Sequence, residues 1–214
     1  GLRVSMLTGD LALAANNAQA TDSIRNITPY LDLAEALGCE LLRVMVHEAG
    51  DIEPLRRAAD EAGERGMRLA QQCHWGSLAE TVEQALALVR EVDRSNFGIT
   101  YEPANLLAAG DEYGATAVER LAPHLFNVYF QNLHLRADSA LTFNTRRRGP
   151  VGVEFLPIAD PRGIDATPIV QALRAVGYAG WFSVHQPCMP GQSVAEAVRE
   201  AGAFAARHLG SSRS

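Results

Sequence analysis

The chain has 214 residues, 47% hydrophobic and 21% charged, with a net charge of −6. That length supports one large domain with a substantial core. The acidic balance, with Arg146-Arg147-Arg148 as the only basic run, argues against a nucleic-acid partner, because such proteins carry a basic patch.

The chain alternates predicted strands and helices. Leu2–Thr8 is an apolar strand. Ile24, Ile27, Tyr30, Leu31, Leu33, Ala34 and Leu37 have helical spacing and stop at Gly38. Leu41–Val46 is a second strand, ending on His47, and 52–65 is a charged amphipathic helix closed by Gly66. Met67–Cys73 is a strand running into His74. Ser77-Leu-Ala-Glu80 has the capping-box pattern and is expected to open the next helix. Phe97–Tyr101 is a short buried strand that delivers Glu102, followed at once by Pro103 and a loop. A short helix at 115–122 and a strand at Leu125–Gln131 follow.

A polar stretch, 134–164, then breaks the rhythm. It holds the arginine run, Gly149-Pro150 and Asp160-Pro161, and a loop of that length in a compact domain is usually functional or disordered. A helix at 165–176, the strand Trp181–Val184 ending on His185-Gln186, and a helix at 193–208 complete the chain. These are six clear strands, with a seventh, short and irregular, around 152–158. Alternation predicts an α/β fold with a parallel sheet flanked by helices. A TIM barrel and an open doubly wound sheet fit the periodicity equally well. Residues 1–208 read as one domain and 209–214 as a disordered tail.

No apolar run approaches the roughly 20 residues of a membrane-spanning helix. Cys39, Cys73 and Cys188 are odd in number and share no paired spacing. This argues against a disulfide framework and a four-cysteine zinc site, and for a reducing compartment. No signal peptide is visible, so a cytoplasmic location is expected.

Chemistry in such folds gathers at the C-terminal ends of the strands. The residues there are Asp10, His47, Gln72, His74, Glu102, Asn127, Tyr129, Gln131, His185 and Gln186. As a set they suit a polyol or a cation. Singly, each is also what any strand-to-loop junction contains. The arginine run reads either as an anchor for a ligand phosphate or carboxylate or as a solvated charge run. Cys73, inside a strand, reads as a small buried hydrophobe.

Several segments, in order, resemble the xylose-isomerase-like TIM-barrel family of sugar isomerases and epimerases. Gly66-Met-Arg-Leu-Ala-Gln-Gln72-Cys-His74 is similar to Leu-Ala-Leu-Glu-Asn-His. Tyr101-Glu102-Pro-Ala-Asn105-Leu resembles Tyr-Asp-Pro-Gly-Asn-Leu. Asn127-Val-Tyr129-Phe-Gln131-Asn132 stands where the family has His-x-His-x-Lys-Asp. Gly177-Tyr-Ala-Gly-Trp-Phe-Ser-Val-His185 resembles Gly-Tyr-Asp-Gly-x-x-Ser-x-Glu.

The resemblance implies a (β/α)8 barrel lacking its first β/α unit. Residues preceding Gly1, or another chain as in a homo-oligomer, would cover that gap. It implies a small sugar or polyol substrate and an isomerase or epimerase. Family members bind a divalent metal through Glu, Asp, His and Glu, and the aligned positions here are Gln72, Glu102, Tyr129 and His185. With one carboxylate left, Mg²⁺ or Mn²⁺ should bind weakly, whereas Glu102, His185 and the Gln72 carbonyl can offer Zn²⁺ a partial shell.

Gln72 cannot accept a proton, which removes the usual pair of carboxylates. Glu102 or His185 would then act as base, with His74 or Tyr129 as acid. Gln72, His74, Asn127 and Gln131, joined by Tyr129, His47 and Gln186, would bind hydroxyls, and Arg148 would reach in from the long loop. A barrel that only binds a polyol or acid, and a related lyase or dehydratase, remain alternatives. The apurinic-site endonucleases of the family use many zinc ligands and do not suit six histidines and an acidic chain.

Overall fold

The structure is a computed structural model describing residues 2–9 and 24–210. Asp10 and residues 211–214, most of the expected tail, lie outside the described residues. The elements begin with β1 (Leu7–Thr8), α1 (Thr28–Ala36), β2 (Leu41–Val44), α2 (Ile52–Glu64), β3 (Arg68–Gln72), α3 (Val82–Val92), β4 (Phe97–Tyr101) and α4 (Pro103–Ala109). They continue with α5 (Ala115–Leu121), β5 (Leu125–Phe130), β6 (Leu133–Leu135), β7 (Thr142–Thr145), β8 (Gly149–Phe155), α6 (Ala166–Ala175), β9 (Trp181–Val184) and α7 (Val194–Leu209).

Six parallel strands in the order β1-β2-β3-β4-β5-β9 curl into a half-barrel. β2 and β4 are buried along their whole length, which is why their sequences are nearly continuous apolar runs. On the outer face, Leu42, Leu69, Ile99 and Val128 join one core with Leu31, Leu55, Val89 and Val118. In α2 the buried residues are Ile52, Leu55, Ala58, Ala59 and Ala62, the i, i+3, i+4 stripe of a helix docked on a sheet. Gly98 is required by proximity. A Cβ there would lie 2.6 Å from the His124 carbonyl oxygen and 2.7 Å from the Phe126 ring, so β4 and β5 pack only with glycine at this position.

Four expectations change. The helix expected to open at Ser77 starts at Val82, capped by Thr81, whose side chain accepts from the Gln84 N–H while Gln84 accepts from the Thr81 N–H. The segment after Glu102 is not a loop: Pro103 opens α4, with Glu102 at its N-cap, because proline's fixed φ suits the first helical turn. The polar stretch contains β6, β7 and β8, a separate antiparallel sheet ordered β6-β8-β7. The strand expected around 152–158 is β8, so it does not belong to the barrel wall. Among the described residues the wall therefore has six strands, two fewer than the eight of a closed barrel, where one missing unit was expected. Across the opening, the Arg3 guanidinium lies 5.0 Å from the Trp181 ring centre, so the segment before β1 reaches β9.

Candidate functional site

Residues two apart on a strand share a face, and Thr100 faces the barrel interior, its hydroxyl 3.6 Å from Met6 Sδ. Two residues on, at the end of β4, Glu102 is fully buried. Gln72, at the end of β3, donates its amide N–H to Glu102 Oε2 and accepts from Arg43 Nη1 of β2 through its carbonyl oxygen. Asn105 Nδ2 donates to the same Glu102 oxygen at 3.2 Å and to the Cys73 carbonyl at 2.9 Å. A guanidinium, an amide and a carboxylate are thus wired in series across three strands.

The other oxygen, Glu102 Oε1, has no hydrogen-bond partner among the described residues and lies 3.7 Å from His185 Nδ1. That is an ion-pair separation, of the kind that tightens to a hydrogen bond when a ligand closes a site. The His185 ring stacks on Tyr129 with centres 4.7 Å apart, and the Arg43 guanidinium sits 5.8 Å from the same Tyr129 ring. His185 is 51% exposed at its side chain while Glu102 is sealed, so the imidazole can meet a substrate and the carboxylate stands behind it. Burial raises the Glu102 pKa; His185 and then Arg43 oppose the rise without cancelling it.

The remaining candidates are placed unevenly. Gln131 is buried and, with Phe155, Val184 and Pro187, lines a cleft beside His185. Asn127 is fully buried on β5, and neither polar atom of its side chain has a hydrogen-bond partner among the described residues. Gln186 accepts from the Asn132 N–H at 2.7 Å and donates to the Leu156 carbonyl at 2.8 Å, stitching β9 to the antiparallel sheet. His74 Nδ1 lies 2.8 Å from the Trp75 carbonyl. His47 Nδ1 lies 3.3 Å from the Gly76 carbonyl, in the loops above β2 and β3. Arg148 Nη1 donates to the Ala108 carbonyl at 3.3 Å, at the end of α4, so its guanidinium is not among the groups around Glu102. Burial pushes the Cys73 thiol up to about 12, which leaves it unreactive.

The arginine run is the turn between β7 and β8, and a buried carboxylate pins it down. Glu80 accepts the Gly76 and Arg146 N–H groups at 2.7 Å each and the Arg147 N–H at 2.8 Å, while Trp75 stacks on Phe143 at 5.4 Å. Glu80→Ala leaves three backbone donors without this acceptor. It should cost about 2–4 kcal/mol and expose Arg146–Arg148 to trypsin. Unchanged melting and unchanged cleavage would rule out this anchoring.

Arg43, Asn105 and Glu80 take part in the structure around the site without having been expected there; Asn105 and Glu80 stood inside motifs that gave them no such role. Arg43 carried a usable signal, since a lone cation in an otherwise apolar strand must be compensated inside the fold.

The family described as xylose isomerase-like TIM barrel matches residues 1–208. The chain belongs to this family. It is similar to the inosose dehydratase of Geobacillus thermodenitrificans, 27% identical over 139 residues, covering 62% of this chain and 45% of that protein. It is also similar to the 3-dehydroshikimate dehydratase of Pseudomonas aeruginosa, 36% identical over 163 residues, covering 72% of this chain and 24% of that protein. The chain therefore spans less than half the length of either relative.

Among solved structures, a xylose isomerase-like TIM barrel protein from Mycobacterium smegmatis in complex with magnesium superposes with a TM-score of 0.71, 16% identity, and coverage of 99% of this chain and 74% of that one. A D-psicose 3-epimerase superposes with a TM-score of 0.67, 16% identity, and coverage of 97% and 76%. At these identities the likeness concerns the fold.

The family's metal does not suit the residues present. Gln72 turns its N–H, a donor, toward Glu102, and its carbonyl oxygen already accepts from Arg43. Glu102 Oε1 and His185 Nδ1 remain as donors, whereas zinc sites use three or four protein ligands. Among the described residues, no three of His, Cys, Asp and Glu are grouped to share a metal. No helix of the described residues is long and apolar enough to cross a membrane.

Proposed function

We propose that this site removes water from a small polyhydroxy ketone, with His185 as the proton-transfer group and Glu102 as its orienting carboxylate. The observation that carries the reading is the pairing of a half-exposed imidazole with a sealed carboxylate 3.7 Å away, together with an amide, Gln72, where the family has a second carboxylate. Isomerisation and epimerisation by the family's route need a proton acceptor on each side of the substrate. Elimination needs one group acting twice.

In the proposed cycle, His185 takes the proton from the carbon next to the substrate carbonyl, and the C–H electron pair forms the enolate. The enolate re-forms the carbonyl while the C–O bond to the β-hydroxyl breaks. The imidazolium returns its proton to the departing hydroxide, so one water leaves and a conjugated enone remains. Glu102 stabilises the transient imidazolium, and stacking on Tyr129 holds the ring in plane. Gln131, lining the adjacent cleft, is the proposed hydroxyl contact. Both curated relatives carry dehydratase names, which supports this reading over epimerisation.

The test is a substrate panel containing a keto-inositol, 3-dehydroshikimate and a ketohexose. It is followed by near-ultraviolet absorbance of the enone and by chromatography of sugar epimers. Enone formation that drops to background in His185→Ala is the expected result. Interconversion of ketohexose epimers without dehydration would replace this reading with an epimerase. Binding without turnover of any compound would replace it with a binding barrel.

A further inference from the structure

We propose that the guanidinium of Arg43 takes the place of the divalent cation in this barrel, so that the site works with a built-in charge and excludes metal. The inference concerns the site of the proposed function, but its test reads metal binding rather than turnover, so either can fail alone.

Two contacts and one electrostatic relation carry it. Of the positions aligned with the family's metal ligands, Gln72 accepts a hydrogen bond from Arg43. Glu102 is stabilised electrostatically by Arg43. Tyr129 lies with its ring centre 5.8 Å from the Arg43 guanidinium. Arg43 thus bears on three of the four positions from β2, a strand that the family's ligand set does not use.

The charges agree with that placement. Glu, Asp, His and Glu around a dication become Gln, Glu, Tyr and His around a monocation, so two carboxylates are lost with one unit of cationic charge, and the single carboxylate left is balanced by the single guanidinium. A dication entering now would meet a like charge fixed in a low-dielectric interior, where repulsion is strongly felt. Arg43 is only 8% exposed. A guanidinium is buried in that way only where it is compensated, and here Nη1 donates to the Gln72 carbonyl oxygen. An amide at position 72 is the side chain such a relay requires, because it accepts from the guanidinium and donates to the carboxylate. Glutamate there could accept but not donate.

The experiment is elemental analysis of purified protein, with melting followed in EDTA and in millimolar Mg²⁺, Mn²⁺, Co²⁺ or Zn²⁺. It is run on wild type, Glu102→Ala, Arg43→Lys and the double variant Arg43→Ala/Gln72→Glu. Wild type and Arg43→Lys should carry no stoichiometric metal, and neither metal nor chelator should move their melting. The double variant, which removes the cation and restores a carboxylate, should melt higher with Mn²⁺. An equivalent of divalent cation in the wild type that disappears in Glu102→Ala would overturn the proposal. So would a folded double variant that gains no metal. Should the double variant fail to fold, the wild-type comparison with Glu102→Ala decides alone. A metal-indifferent protein that turns over none of the panel substrates would sink the dehydratase reading and leave this one standing.

Discussion

Replacing Glu102 with glutamine is expected to raise the melting temperature at neutral pH while removing most of the turnover. The carboxyl is fully buried, and burial raises its pKa above the usual 4.5, a rise that His185 and Arg43 only partly offset. The sign follows from linkage. A carboxyl whose folded pKa is raised contributes stability that is complete below its unfolded pKa and is lost as pH rises through the folded one. Ionisation of Glu102 therefore weighs against the fold. Glutamine keeps a carbonyl oxygen for Gln72 and Asn105 without the charge.

The gain in melting temperature goes with a fall in turnover of about 10²–10⁴-fold once the imidazole loses its anionic partner. Calorimetry across pH checks the cause as well as the size. The two proteins should converge as pH falls and wild-type Glu102 takes up its proton. A glutamine variant that melts below wild type at neutral pH would show that the carboxylate stabilises the fold.

Arg43→Met should be the most damaging single substitution in the barrel interior. Methionine matches much of the volume, so the loss is electrostatic. Gln72 loses its donor and the buried Glu102 loses its nearby cation. Breaking a buried charge arrangement from one side costs about 3–5 kcal/mol. The double variant Arg43→Met/Glu102→Gln should recover part of that loss, with a coupling of about 0.5–3 kcal/mol in denaturant unfolding. Strictly additive effects would mean that the two residues do not communicate through Gln72.

The parallel sheet was legible because fully buried strands write continuous apolar runs, such as Leu41–Val44 and Phe97–Tyr101, between amphipathic helices. The family was legible from the order of four motifs. The antiparallel insert was not, because β7 and β8 are short and the Arg146–Arg148 turn reads as a charge run rather than as a hairpin. Helix α4 was hidden by Pro103, which signals a break from one side and a helix start from the other. At the site, Glu102, Gln72, Tyr129 and His185 stood out as strand ends. Arg43 did not, because it lies within its strand rather than at the end. Its importance comes from reaching two strands sideways, a relation that linear spacing does not encode.

The half-barrel distributes rigidity unequally around this site. Among the described residues, β2 to β5 each have two parallel neighbours in the sheet, whereas β9 pairs with β5 alone. The helix behind β9 is held through Phe204 as its one buried residue, while Val194 and Val198 face outward. Local opening starts where few apolar contacts must be broken, which places β9 and α7 at the low end of the molecule's ladder of opening energies. Glu102, on β4, stands at the other end. The two halves of the proton-transfer pair therefore belong to parts of the chain with different protection against unfolding, and the distance between His185 and Glu102 is set by how firmly the rim holds to the centre.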